Sequence, residues 1–252
     1  MADLQLRARS VSEIVDAAFD LYRRNPARYI ALAALGVIPT LFVQLSFPTV
    51  SPGTGDMSTA VTSILKFALM MVISTIDGAM LIRLGAYDYL GEDADVARAV
   101  REVLPRIPAL VFALFLRAFV YGVGILLLIF GFFYFYARYF AIDAAIVIEG
   151  LGPTEAFTRS SALSAGRKRH ILNTVLLVGI VYVILSTGVA LLAALAGSQV
   201  VTQVAQSALS LVAAPVLALV VTILYYDTRI RGEGFDLQRM AAALDTPKPA
   251  SA

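Results

Sequence analysis

Cysteine is absent from the chain, which removes disulfides, thiolate nucleophiles and Cys-ligated metals from consideration. There is one histidine, His170, too few for an HExxH zinc site. No GxSxG elbow, Walker loop or dinucleotide fingerprint occurs either. Charge is scarce. Asp, Glu, Lys and Arg make up 15% of the residues, against ~25% in a soluble domain. A net charge of +2 is too small to suggest nucleic acid as a partner. A cleaved signal peptide is not expected, because a mostly polar segment of about 28 residues precedes the first apolar run.

Apolar residues take the place of the missing charge. They make up 59% of the chain, above the ~45–50% usual for soluble domains, and the mean hydropathy is +0.80. A helix needs ~20 apolar residues to cross a bilayer. Spans are expected at 29–46, 59–82, 108–130, 132–148, 171–196 and 202–226. The fourth is the shortest. The third and fourth are separated near Gly131, which leaves the aromatic run from Phe130 to Tyr136 at an interface. Pro39 and Pro215 fall inside spans and predict kinks.

All basic residues except Lys66, Arg117 and Arg138 lie between or beyond these spans, and always on alternate connections. The connections around residues 47–58, 131–133 and 197–201 carry none. Positive charge resists export, so both termini and two loops are expected in the cytoplasm, facing anionic inner-leaflet lipid. The fold class is therefore all-α: a polytopic bundle forming a single integral membrane domain over 1–252, with a disordered tail from 237. Arg-rich, Lys-poor usage fits a bacterium, and the location follows as the cytoplasmic membrane.

The polar segments hold three amphipathic helices. Ser10 and Glu13 form a capping box, followed by Val11, Ile14, Val15, Ala18, Phe19 and Tyr22 at helical spacing. Residues 95–104 and 153–163 are similar. Each leads into an outward span, so the chain reads as three units of surface helix plus membrane hairpin. These helices could sense the membrane surface or dock a partner; anchoring the hairpins is the simpler role.

Five ionisable residues fall inside spans, Lys66, Asp77, Arg117, Arg138 and Asp143, and Glu149 stands at the end of the fourth. Each costs ~2.5–3.5 kcal/mol on insertion scales if it faces lipid. Lys66 and Asp77 are eleven residues apart, close to three turns, and share a helix face. Pairing across the second, third and fourth spans is expected, either as a structural network or as a site for an amphiphile headgroup. Glu149 and His170 are expected at the interface. Gly122 and Gly124, Ala190 and Ala194, and Ser207, Ser210 and Ala214 permit close helix contact.

Two stretches carry a resemblance. One runs from Ala145 through Glu149-Gly150-Leu151-Gly152-Pro153 and Ala156 to Arg159-Ser160; the other is Tyr225-Tyr226-Asp227-Thr228-Arg229-Ile230-Arg231 with Phe235-Asp236-Leu237. With the opening Ile14 to Asn25, they resemble the bacterial membrane domain found beside glycerophosphoryl diester phosphodiesterases. That resemblance implies a six-helix inner-membrane domain without chemistry of its own. The phosphodiesterase activity of such proteins belongs to a separate barrel, and this chain has no room for one. The resemblance marks Glu149, Arg159, Asp227, Arg229 and Arg231 as cytoplasmic-face residues able to cross-pair. The functional expectation is a non-enzymatic scaffold or accessory subunit without cofactor or metal, working with membrane lipids and with a protein partner or a second copy. The alternative is a transporter or channel for a lipid or small amphiphile, using Lys66, Asp77, Arg117, Arg138 and Asp143.

Overall fold

In hydrocarbon each backbone N–H must find its own acceptor, so long runs of Leu, Val, Ala and Ile become helices there. The computed structural model describes residues 7–46, 57–93 and 95–237. Residues 47–56 of the connection between the first two spans and the tail beyond residue 237 lie outside them. The described residues are helical, with no strand among them. Six helical stretches are long and apolar enough to cross a membrane: Pro26–Ser46, Met57–Leu90, Val96–Leu126, Phe130–Glu149, Lys168–Ala194 and Gln199–Glu233. Phe42, Phe115, Phe119 and Ile184 are among many large apolar side chains that stay exposed along them, more than a water-soluble surface carries. The chain is a multi-pass membrane protein.

The helices are α1 (Val11–Arg24), α2 (Pro26–Ser46), α3 (Met57–Leu90), α4 (Val96–Val103), α5 (Ile107–Leu126), α6 (Leu128–Arg138), α7 (Ile142–Ala144), α8 (Pro153–Leu163), α9 (Lys168–Ala194) and α10 (Gln199–Glu233). A 3₁₀ turn joins α4 to α5, and a π turn (Ala145–Glu149) follows α7. The short helices α1, α4 and α8 each precede a pair of crossing segments, so the expected threefold order is present. Ser10 caps α1 with the complete capping box, a device worth ~1 kcal/mol. Asp95 caps α4 through the Arg98 N–H at 2.7 Å.

The short helices form a collar at the end of the bundle where α1 meets the end of α10. The best-buried side chains gather there, including Tyr29, Tyr225 and Tyr226. Tyr89 stacks on Tyr226 with ring centroids 5.2 Å apart. The buried face of α1 differs from the expected one. Ile14, Ala17, Ala18 and Leu21 are buried, while Phe19 is 43% exposed. The helix packs chiefly on α10 and α9, and small residues at 17 and 18 bring it close, which turns the bulkier Phe19 outward.

The third and fourth crossings also depart from expectation. Their turn is at Leu127, not Gly131: Leu127 ends α5 and its N–H bonds the Val123 carbonyl at 3.1 Å. Gly131 lies within α6, facing Gly124 on α5. These glycines let the two backbones approach, which moves the turn four residues earlier and puts the aromatic run on a helix. Tyr121 meets Phe132 at 5.5 Å and Tyr136 at 5.8 Å.

The fourth crossing is broken. Helix α6 stops at Arg138, and regular structure resumes at Ile142. Ser160 of α8 mends the gap, accepting from the Ala141 N–H at 3.1 Å and donating to the Arg138 carbonyl at 3.0 Å. Ser160 is fully buried, so without this hydroxyl two backbone groups would lose their partner in an apolar setting. The segment then ends at Gly150, whose φ of +78° suits glycine. The Arg106 guanidinium lies against it, where a Cβ would come within 2.8 Å of a nitrogen.

Candidate functional site

Three groupings of polar side chains stand out, two of them ionic and closed. The first is in the collar. Arg159 on α8 places Nε 2.8 Å from Glu149 Oε2 and Nη2 2.8 Å from Oε1, a forked contact that fixes both planes. The same guanidinium reaches Glu233 at the end of α10, with Nη2 2.9 Å from Oε2. Hydrogen bonds to Glu233 and then to Glu149 raise the Arg159 pKa above its ordinary value. Arg229 Nε lies 3.2 Å from Glu233 and 3.8 Å from Glu149, and the Tyr225 hydroxyl donates to Glu149. Glu149, expected at the cytoplasmic interface and among the cross-pairing residues, is the hub of this grouping and 17% exposed; the π turn and Gly150 turn it back toward α8 and α10.

Beside it Asp227 is fully buried. It accepts the Arg9 N–H at 2.7 Å, Arg231 Nε at 2.8 Å and meets His170 Nε2 at 3.1 Å. Arg231 also donates to the Arg9 carbonyl at 2.7 Å. One carboxylate thus ties the segment before α1 to α9 and α10. His170, expected at the interface, is held by its contact with that buried aspartate. The expected cross-pairing of Glu149 and Arg159 with the Asp227–Arg231 segment occurs through Arg229 and Glu233. Arg229 itself turns to the glutamates and leaves Asp227 to Arg231. Glu233 and Arg9 were not singled out in the sequence, and Tyr225 entered only as part of the second resembling stretch; Glu233 carried a signal, standing four residues after Arg229 on one helix.

The second grouping lies deeper. Arg117 on α5 donates to Asp143 at 2.7 Å, both largely buried. This is the expected pairing between the third and fourth spans. Arg138, at the break, reaches the Tyr134 hydroxyl at 3.4 Å and lies over the Tyr139 ring. It does not join the pair.

The third grouping is a cavity. Lys66 and Asp77 do share a face of α3, as their spacing implies, but that face looks at α2. Lys66 donates to the Gln44 carbonyl at 3.4 Å, and Asp77 packs against Gly36 so closely that a Cβ there would overlap its carboxylate. The expected pairing of these two residues with the third and fourth spans is therefore corrected: glycine at position 36 makes α2 the approachable neighbour. Asp77 is 7% exposed, its Oδ1 is buried without a hydrogen-bond partner, and it lines a cavity of about 270 Å³ among α2, α3, α9 and α10. Ser207, Ser210 and Ala214, expected to permit close helix contact, lie along this cavity. So do Gln44 and Gln206, which the sequence displayed as uncharged polar residues inside apolar runs.

The fold defines a helical multi-pass membrane protein with an ion-paired collar and a polar cavity beside Asp77. No protein-family model matches the chain, and no curated protein or solved structure matches it.

Proposed function

We propose that the chain is a non-enzymatic integral membrane protein that serves as a scaffold or accessory subunit in the cytoplasmic membrane of a bacterium. Its termini and its three short helices face the cytoplasm, and its basic residues meet anionic lipid. The collar carries this reading. Short helices docked on span ends and cross-linked by Glu149, Arg159, Glu233 and Asp227 make a stiff platform, and shared ion-pair networks hold geometry better than isolated surface pairs. The resemblance to the membrane domain beside glycerophosphoryl diester phosphodiesterases points the same way.

Affinity purification from native membranes tests the proposal. A stable stoichiometric protein partner, lost when Arg159 and Arg229 are replaced together, is the expected result. Reporter fusions after Gly55 and Gly197 test orientation and should report the outside. A second reading, a transporter or channel for a lipid or small amphiphile, is favoured by the cavity beside Asp77. Co-purification of one stoichiometric amphiphile without a protein partner would put that reading first.

A further inference from the structure

A carboxylate buried in an apolar layer costs several kcal/mol unless a partner neutralises it. Asp143 has its guanidinium. Among the described residues no basic side chain reaches Asp77, and Oδ1 lacks even a hydrogen bond. Lys66, on the same helix face, is eleven residues away, ~16 Å along the axis.

The walls around Asp77 show what could compensate. Thr40, Gln44, Ser74, Gln206, Ser207 and Ser210 supply hydroxyl and amide groups from three helices. Tyr182 adds a phenol from α9, while Val37, Ala214 and Leu217 form an apolar side. The lining extends along α2 from Gly36 to Gln44, which is ~12 Å of helix. Both in-helix prolines stand beside it, Pro39 between Val37 and Thr40 and Pro215 between Ala214 and Leu217. Each removes the helical donor from the carbonyl four residues earlier, at Leu35 and at Leu211. The cavity therefore offers one carboxyl group and many neutral oxygens, beside a greasy wall.

We propose that this cavity binds an organic ammonium group, with Asp77 as its counter-ion and the serine, threonine and glutamine oxygens as further acceptors. A single carboxylate matches a single positive charge. Among the described residues no group of three or more acidic or histidine side chains stands ready for a metal ion. The volume of about 270 Å³ exceeds a bare ion and suits a small ligand, since one water occupies ~30 Å³. A primary ammonium carries three donors and the apolar wall takes its carbon body. This specifies the ligand of the second functional reading and rests on its cavity, although binding requires no transport.

Carbodiimide labelling of the wild-type protein in phosphatidylcholine nanodiscs tests the site, with dicyclohexylcarbodiimide as reagent and the Asp77 peptide quantified by mass spectrometry. Octylammonium at ten times its apparent Kd should lower Asp77 labelling about tenfold, by simple occupancy, while octanol should not. Nanodiscs in which phosphatidylethanolamine replaces phosphatidylcholine, without added amine, form the second arm. Protection there as well as by octylammonium, or there alone, supports the site and assigns the ammonium to a lipid headgroup. Protection by octylammonium alone supports it with a free amine. Equal protection by octanol, or no protection by either amine, overturns the proposal. A thermal-shift assay adds an independent readout: octylammonium should raise the Tm of the wild type and not that of Asp77→Asn. If that variant does not fold, the labelling on unaltered protein still decides. Loss of protection would leave the partner purification unaffected, and binding without flux would end the transport reading while keeping the site.

Discussion

Arg117 and Asp143 face each other between the third and fourth crossings, and their charges cancel within 2.7 Å. Asp77, between the first, second and sixth, meets a glycine, hydroxyls and an empty volume. Both regions lie among apolar helices. The first is complete in itself and fixes how two neighbouring segments register. The second leaves a carboxyl without an ionic partner among the described residues, and the flanking helices carry a glycine packed on it and two prolines beside the cavity. Polar groups in a membrane bundle thus serve the fold in one place and keep room for a guest in the other.

The sharpest break of that contrast is Asp143→Asn, which strands the Arg117 guanidinium. Removing one partner of a buried pair costs on the order of 3–5 kcal/mol, so the variant should unfold at markedly lower denaturant in detergent micelles. Replacing both residues by apolar ones should cost less than either single change, a coupling that a double-mutant cycle measures. Next comes the collar. Glu149→Gln removes the anion shared by Arg159, Tyr225 and Arg229 and should cost ~2 kcal/mol by loss of charged hydrogen bonds, read as a lower Tm. Asp77→Asn should instead leave the stability of the unliganded protein unchanged or raise it by ~1 kcal/mol, because it discharges a carboxylate that has no ionic partner. A loss as large as that of Asp143→Asn would erase the distinction between the two regions.

Acid gives the smallest effect. Hydrogen bonds from Arg7, and from the Ser10 N–H and side chain, lower the Glu13 pKa from 4.5 to about 2. A depressed carboxylate stabilises the folded state above its unfolded pKa, and that contribution fades as pH falls from 4.5 through about 2. Glu13 is exposed, so the change should be slight and local. Hydrogen exchange at the first turn of α1 should quicken over that interval.

Charge and hydropathy reveal membrane crossings because lipid imposes them one segment at a time. That is why Tyr29 to Ser46 and Ile171 to Ala196 are recognisable from composition. Capping chemistry is equally local, and Ser10 with Glu13 announces α1. What needs two segments at once is harder to read. Gly131 looks like a turn residue until Gly124 is seen opposite it, and the packed face of α1 depends on α10. The spacing of Lys66 and Asp77 shows that they share a face; only the presence of Gly36 on α2 tells which neighbour that face meets. The cavity is least legible of all, since Thr40, Ser74, Tyr182 and Gln206 come from four helices and none is unusual alone.

The contact between the Arg9 N–H and Asp227 joins positions 218 residues apart. During synthesis the first helix emerges long before its anchor exists, so the part of its apolar face that packs on α10 must wait uncovered until the last crossing is in place. A copy shortened before Asp227 would keep that greasy strip bare on its surface. Finished and unfinished molecules therefore differ at their beginning, where a quality-control protease could inspect them.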